Sequence, residues 1–197
     1  VTGLANAERN QSWYTSAFAN NFSPSNILGF NNMSYGLQQM TDADDSADSR
    51  SAIMGRVNYS FMKRYYLSAS IRQDGYSRFG AQKRYATFPS VSAGWNISQE
   101  NFMDNFTNVF TFLKIRASYG VNGNSSGIGA YASSAILSDG RYLNYNNGYY
   151  PVTYLYISQM ENSELAWEKN EAFNFGLDYG LWQGKVSGSL DVYSSKT

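Results

Sequence analysis

The chain has 197 residues, 15 Lys plus Arg against 15 Asp plus Glu, and a pI near 6.4, so nothing basic marks it as a nucleic-acid binder. It has no Cys and no His, which removes disulfides, thiolate zinc sites, thiol nucleophiles and the commonest general base. Aromatics make 17% and charged residues only 15%, against about 25% charged in an average soluble domain. No run of ~18 apolar residues occurs, so neither a transmembrane helix nor a signal peptide is expected, and a β-sandwich or a membrane β-barrel remains.

Residues 1–50 lack periodicity and read as an outer loop region with a strand end at Val1–Leu4. Strict alternation then begins. Ile53, Gly55, Val57, Tyr59 and Phe61 oppose Met54, Arg56, Asn58 and Ser60. A strand points alternate side chains to opposite faces, so one face is oily and the other wet. Met62-Lys63-Arg64 makes a three-residue turn. It predicts the pairs Phe61 with Tyr65, Tyr59 with Leu67, Val57 with Ala69 and Gly55 with Ile71. The second strand sets Tyr65, Leu67, Ala69 and Ile71 against Tyr66, Ser68, Ser70 and Arg72.

A long loop, 74–86, leads to TFPSVSAGWNIS, where Val91, Ala93, Trp95 and Ile97 share one parity. The 98–112 connection carries SQENFMDNF, read as a short amphipathic helix at an interface. The fourth strand sets Leu113, Ile115, Ala117, Tyr119 and Val121 against Lys114, Arg116, Ser118 and Gly120. A second long loop spans 122–168; loops beyond ~15 residues are uncommon in compact domains and usually functional. Phe173 to Leu181 and Val186 to Val192 complete six strands of about ten residues, the length a tilted strand needs to cross a bilayer. A two-residue turn at Gln183-Gly184 pairs Leu181 with Val186 and lays Tyr179 over Gly188.

Short turns at one end and long loops at the other describe an outer-membrane barrel. On that reading Arg56, Arg72, Lys114, Arg116 and Asp178 line a polar lumen, while a sandwich would leave them in bulk water. Tyr59, Phe61, Tyr65, Trp95 and Tyr179, with Trp182, gather near the short turns, as girdle aromatics do at a membrane interface; hairpin-end packing is the plainer account. Six or seven strands cannot close a wide barrel, so a piece of a longer polypeptide is expected.

The segments GRVNYSFMKRYYLSASIRQDGYSRFG, TFPSVSAGWNISQENFM, LKIRASYGVNGN, LAWEKNEAFNFGLDYG and GKVSGSLDVYSSKT resemble, in order, segments of the SusC/RagA-type TonB-linked outer-membrane transporters. The resemblance covers 51–197 well and 1–50 loosely. It implies an all-β transmembrane antiparallel barrel of about 22 strands, of which this chain is part of the C-terminal half. It also implies a SusD-like surface lipoprotein as lid, TonB as energy source through a part of the protein not present here, surrounding outer-membrane lipid, and an oligosaccharide or peptide as cargo. No cofactor and no enzymatic activity are implied. By the same comparison Trp167 and Glu168, where the chain re-enters the wall, are structural.

Tyr142, Tyr145, Tyr149, Tyr150, Tyr154 and Tyr156 crowd the 122–168 loop with Asn and Gly, a composition suited to substrate or lid contact and equally to self-packing. DADDSAD, residues 42–48, invites a calcium reading, but the helix-loop-helix pattern fails at Ala47 and Ile53, and an acidic loop is the default. SFMK at 60–63 matches S-x-x-K without partner motifs, and GVNGNSSGIG lacks the lysine of a phosphate loop. The rival readings are a secreted β-sandwich that binds glycans and a barrel-borne surface enzyme.

Overall fold

The computed structural model describes residues 1–22, 33–34, 36–144 and 150–197. Among the described residues there are nine strands: β1 (Thr2–Phe22), β2 (Gly36–Phe61), β3 (Tyr65–Tyr76), β4 (Tyr85–Asn96), β5 (Phe110–Asn124), β6 (Ile136–Asn144), β7 (Tyr150–Gln159), β8 (Glu168–Leu181) and β9 (Val186–Lys196). Seven form one sheet in the order β1-β2-β3-β4-β5-β8-β9, and β6 pairs with β7 separately. Consecutive strands of the large sheet are neighbours throughout, apart from the hairpin inserted between β5 and β8. Such an up-and-down path is what short turns produce, because antiparallel neighbours need no crossover.

The register expected from turn length holds. Phe61 pairs with Tyr65, Tyr59 with Leu67, Val57 with Ala69 and Gly55 with Ile71. Leu181 pairs with Val186 and Tyr179 with Gly188. The oily row therefore runs unbroken across the strands, for example Val57–Ala69–Val91–Tyr119–Phe173. At the first turn Met62 and Lys63 both take positive φ, 52° and 57°, and the Arg64 N–H donates to the Phe61 carbonyl at 3.0 Å. Two successive left-handed residues match the twist of the flanking strands, though neither residue is a glycine. The second turn uses Trp182, Gln183 and Gly184 at positive φ.

The core among the described residues is small and gathers mainly at the long-loop end, with Met103 at the other. The buried apolar side chains are Ala52, Tyr76, Phe79, Phe88 and Met103. Among the described residues no second sheet covers the oily face: Val57 is 51% exposed, Leu67 50%, Val91 45% and Leu190 62%. A soluble sandwich buries those positions between two layers, so the sandwich reading is not supported.

The chain divides into two compact units. One comprises Val1–Glu8 and Arg50–Thr197; the other is Arg9–Ser49. In the latter, Asn10 donates to Asp48 at 3.3 Å and Ser12 meets Ser46 at 2.6 Å. One number rises as the other falls, which marks an antiparallel pair. Here the structure corrects the expectation of loop for residues 1–50: they are mostly strand. The acidic stretch 42–48 is likewise strand within β2, with Asp48 buried. The 122–168 connection also differs from a plain loop, because it carries the β6–β7 hairpin. The 74–86 connection narrows to 77–84 between strand ends, and the connection expected over 98–112 spans 97–109 and carries two short 3-10 helices, Ile97–Gln99 and Asn101–Phe106.

Candidate functional site

The polar face of the large sheet is built by strand parity. Across β2, β3, β4, β5 and β8 one row reads Asn58–Ser68–Ser92–Ser118–Asn174, each a register partner of the next. Ser68 donates to Asn58 at 2.7 Å. One row nearer the short turns, Ser60–Tyr66–Gly94–Arg116–Gly176–Asp191 crosses the sheet. The first row, with Ser60, Tyr66, Gly94 and Arg116 of the second, borders a trough of about 460 Å³.

Of the predicted polar-face charges, Arg116 and Asp178 come together and Arg116 also gains Asp191. Arg116 Nε donates to Asp178 at 3.1 Å, and an Nη donates to Asp191 at 2.8 Å. Its guanidinium lies over Gly176, where a Cβ would stand 2.7 Å from Cζ, so the glycine is what lets the group lie flat on the wall. Lys114 places its ammonium 5.1 Å from the Tyr66 ring centroid, a cation–π contact. Arg72 joins none of these; its Nε donates to both oxygens of Asp74 at 2.8 Å. Arg56 stands apart and exposed on β2. Asp191 and Asp74 were not singled out from sequence, although parity places both on the polar face.

On the apolar face, Phe61, Tyr65 and Trp95 stack in a row, with ring centroids 6.5 and 6.4 Å apart. Tyr59 adjoins them, and with Tyr65, Leu67, Trp95 and Ile115 it borders an almost wholly apolar hollow of about 330 Å³. Tyr179 lies elsewhere, over Gly188 as expected, with its hydroxyl 2.7 Å from where a Cβ would be. The residue that organises the row is Glu100. It accepts from the Tyr65 hydroxyl at 2.7 Å, the Trp95 indole N–H at 3.0 Å and Arg64 at 3.1 Å. The Tyr65 and Trp95 hydrogen bonds and the Arg64 charge hold its carboxyl below the usual carboxylate range. Sequence reading passed over it because its partners meet only once the first turn and the 97–106 segment are folded together.

At the other end of the sheet, Tyr76, Phe79, Phe88 and Trp167 form an aromatic knot. Phe79 and Trp167 centroids are 4.7 Å apart, and Phe88 meets Trp167 edge-to-face at 5.6 Å. Arg50 sits 4.2 Å over the Tyr76 ring. The Trp167 indole donates to the Arg84 carbonyl at 2.9 Å, and Gly80 N–H donates to the Leu165 carbonyl at 2.9 Å. These ties fasten the 77–84 connection to the chain re-entering at β8, which is the structural part expected of Trp167. Glu168 accepts from Asn124 at 2.7 Å across the same end.

Of the six candidate tyrosines, Tyr145 and Tyr149 lie outside the described residues. Tyr142 lies on β6 and Tyr150 on β7. Tyr154 and Tyr156 share a face of β7 with centroids 5.8 Å apart, both about half exposed. Tyr154 covers Gly140 on β6.

Residues 2–197 match the family described as TonB dependent receptor-like, beta-barrel. The chain belongs to the TonB-dependent receptor β-barrel family. It is 35% identical over its whole length to TonB-dependent receptor P39 of Formosa agariphila, and 38% identical over 73% of its length to TonB-dependent receptor SusC of Bacteroides thetaiotaomicron. It spans 18% and 14% of those two proteins respectively. A solved structure of the RagAB peptide transporter matches 98% of this chain and 21% of the transporter chain, with TM-score 0.79 and 29% identity. The sheet of this TonB-dependent receptor chain is thus a section of barrel wall, from a SusC-like family of transporters and receptors found in the outer membrane. That family is a transport class rather than an enzyme class.

Proposed function

We propose that this chain is part of the wall of an active outer-membrane importer, with its apolar face against lipid and its polar face toward an aqueous lumen. The observation that carries this is the set of half-exposed apolar residues, Val57, Leu67, Val91 and Leu190, on a face that no layer covers among the described residues. In water such a face costs free energy in proportion to its area; against acyl chains it costs none. The stacked Phe61–Tyr65–Trp95 row, with its polar atoms held by Glu100, suits the headgroup boundary beside the short turns. The 77–84 connection and the β6–β7 hairpin then lie outside the cell, where Tyr154 and Tyr156 meet cargo or a SusD-like lipoprotein lid. TonB supplies energy through a part of the protein other than this wall. The cargo is an oligosaccharide or a peptide; the RagAB likeness supports the second. No bond in the cargo needs to break.

The test uses the full-length receptor in a Gram-negative host. Uptake of labelled oligosaccharide or peptide should require the receptor and should vanish when TonB is deleted. Uptake that persists without TonB would contradict active import.

A further inference from the structure

A cleft of about 410 Å³ opens at the long-loop end of the large sheet, within the range of small-ligand sites. It lies on the oily side of the wall. Tyr85 and Thr87 of β4 share the parity of Val91, and Lys169 of β8 shares that of Phe173. Strand alternation sends all three outward. Lys83 joins them from the 77–84 connection. Among the described residues, two lysines and no carboxylate line the cleft. A lysine on the outward parity is out of place against acyl chains. It is in place against a charged headgroup.

β4 sets the height of the cleft. Trp95, in the aromatic row beside the short turns, and Tyr85 are ten residues apart on that strand. At about 3.3 Å per residue and a tilt of about 40°, that climb is roughly 25 Å, the height of the apolar band. Tyr85 thus marks the far edge of the band, its ring lying over its register partner Gly75. The two ammonium groups are lightly held. That of Lys169 has neither ion pair nor hydrogen bond among the described residues. That of Lys83 meets Glu164 at 3.5 Å, and this carboxylate is 73% exposed; such surface pairs contribute little. Glu171, the next outward residue of β8, has Lys196 as its register partner, so the two add no net charge.

We propose that this cleft holds the phosphate of an anionic outer-leaflet lipid between Lys83 and Lys169, with the Thr87 hydroxyl as a further donor. A phosphate carries its charge on several acceptor oxygens, so it takes two ammonium groups at once. Glu164, on the exposed side, gives up Lys83 to it. The lipid's chains then run along the oily face toward Val91, continuous with the surface already assigned to acyl chains. A soluble anion has no such chains and gains nothing from that continuity. The assignment rests on the apolar face of the wall being turned to lipid.

Native mass spectrometry of the purified full-length receptor tests the site. The probes are lipid A bearing its phosphates, the same lipid with its phosphates removed, and inorganic phosphate. The phosphorylated lipid should be retained in preference to the stripped one. K83A and K169A should each weaken its binding by about fivefold, and the double variant by roughly twentyfold. E164Q, which frees Lys83, should strengthen it. All three positions are exposed, so every variant should keep the gel migration of the folded receptor. Equal retention of the two lipids, phosphate binding without preference for the phosphorylated lipid, or unchanged binding in the double variant would overturn the site. A nitroxide on V57C then separates the two readings. Access of lipid-dissolved oxygen to that label leaves the wall standing without the site; no access removes the wall assignment as well.

Discussion

Replacing Val91 by arginine, set against replacing its chain neighbour Ser90 by lysine, separates the two faces of the wall with one residue of displacement. Val91 lies on the oily row Val57–Ala69–Val91–Tyr119–Phe173 and is 45% exposed. Along β3 that row crosses at Ala69, four residues from the girdle residue Tyr65. At about 3.3 Å per residue and a tilt of about 40°, the row sits roughly 10 Å into an apolar band about 25 Å tall, close to its middle. An arginine there costs about 2–4 kcal/mol, or roughly 30- to 900-fold in the ratio of folded to unfolded receptor. Ser90 faces the other way and hydrogen-bonds Ser70 at 2.7 Å. S90K loses that bond, worth about 1 kcal/mol, and places its charge in water. The assay is a urea titration of full-length receptor in lipid vesicles, read by the gel mobility of the folded barrel. V91R should shift the midpoint well beyond S90K. Equal shifts, or a larger one for S90K, would refute the assignment of faces.

Three further outcomes follow from particular contacts. The Glu100 carboxyl is held below its ordinary range, so its contribution is full above the unfolded carboxylate pKa of about 4.3 and fades as pH falls through the lower folded value; E100Q should flatten that acid limb in a pH series of receptor stability. G123A drives a Cβ into the Phe88 ring and should cost about 1–3 kcal/mol, seen as a lowered urea midpoint with altered Trp167 emission. Lys63 has φ 57°, a left-handed conformation that disfavours side chains by roughly 1–2 kcal/mol; K63G should raise the same midpoint by up to about that amount.

The parts of the wall legible in the sequence are those where one parity is apolar and the other polar. β2 from Ile53 onward, β3, β4, β5, β8 and β9 obey that rule, and turn length then fixes the register of the β2–β3 and β8–β9 pairs. β1 escapes it because Trp13 shares a parity with Arg9 and Gln11, and Tyr14 with Asn10 and Ser12. Its backbone pairs with β2 without either face being wholly oily, so alternation carries no signal. β6 hides for the same reason, with Leu137, Asp139 and Arg141 on one face. The Tyr76–Phe79–Phe88–Trp167 knot joins β3, β4 and two irregular connections with no period to read. The Phe88–Gly123 contact needs the strands side by side before it exists. Arg116 and Asp178 could be placed on the polar face by parity, but Asp191 as a second partner follows only from the offset between β8 and β9.

Nitroxide scanning of residues 53–60 in the membrane-embedded full-length receptor tests the central claim most directly, and this chain contributes no native cysteine to interfere. Labels on V57C and Y59C should be reached by lipid-dissolved oxygen and shielded from a water-soluble nickel chelate, while labels on R56C and N58C should show the reverse. A period of two in those accessibilities is the predicted result; chelate access at every position, or the opposite phase, would contradict it.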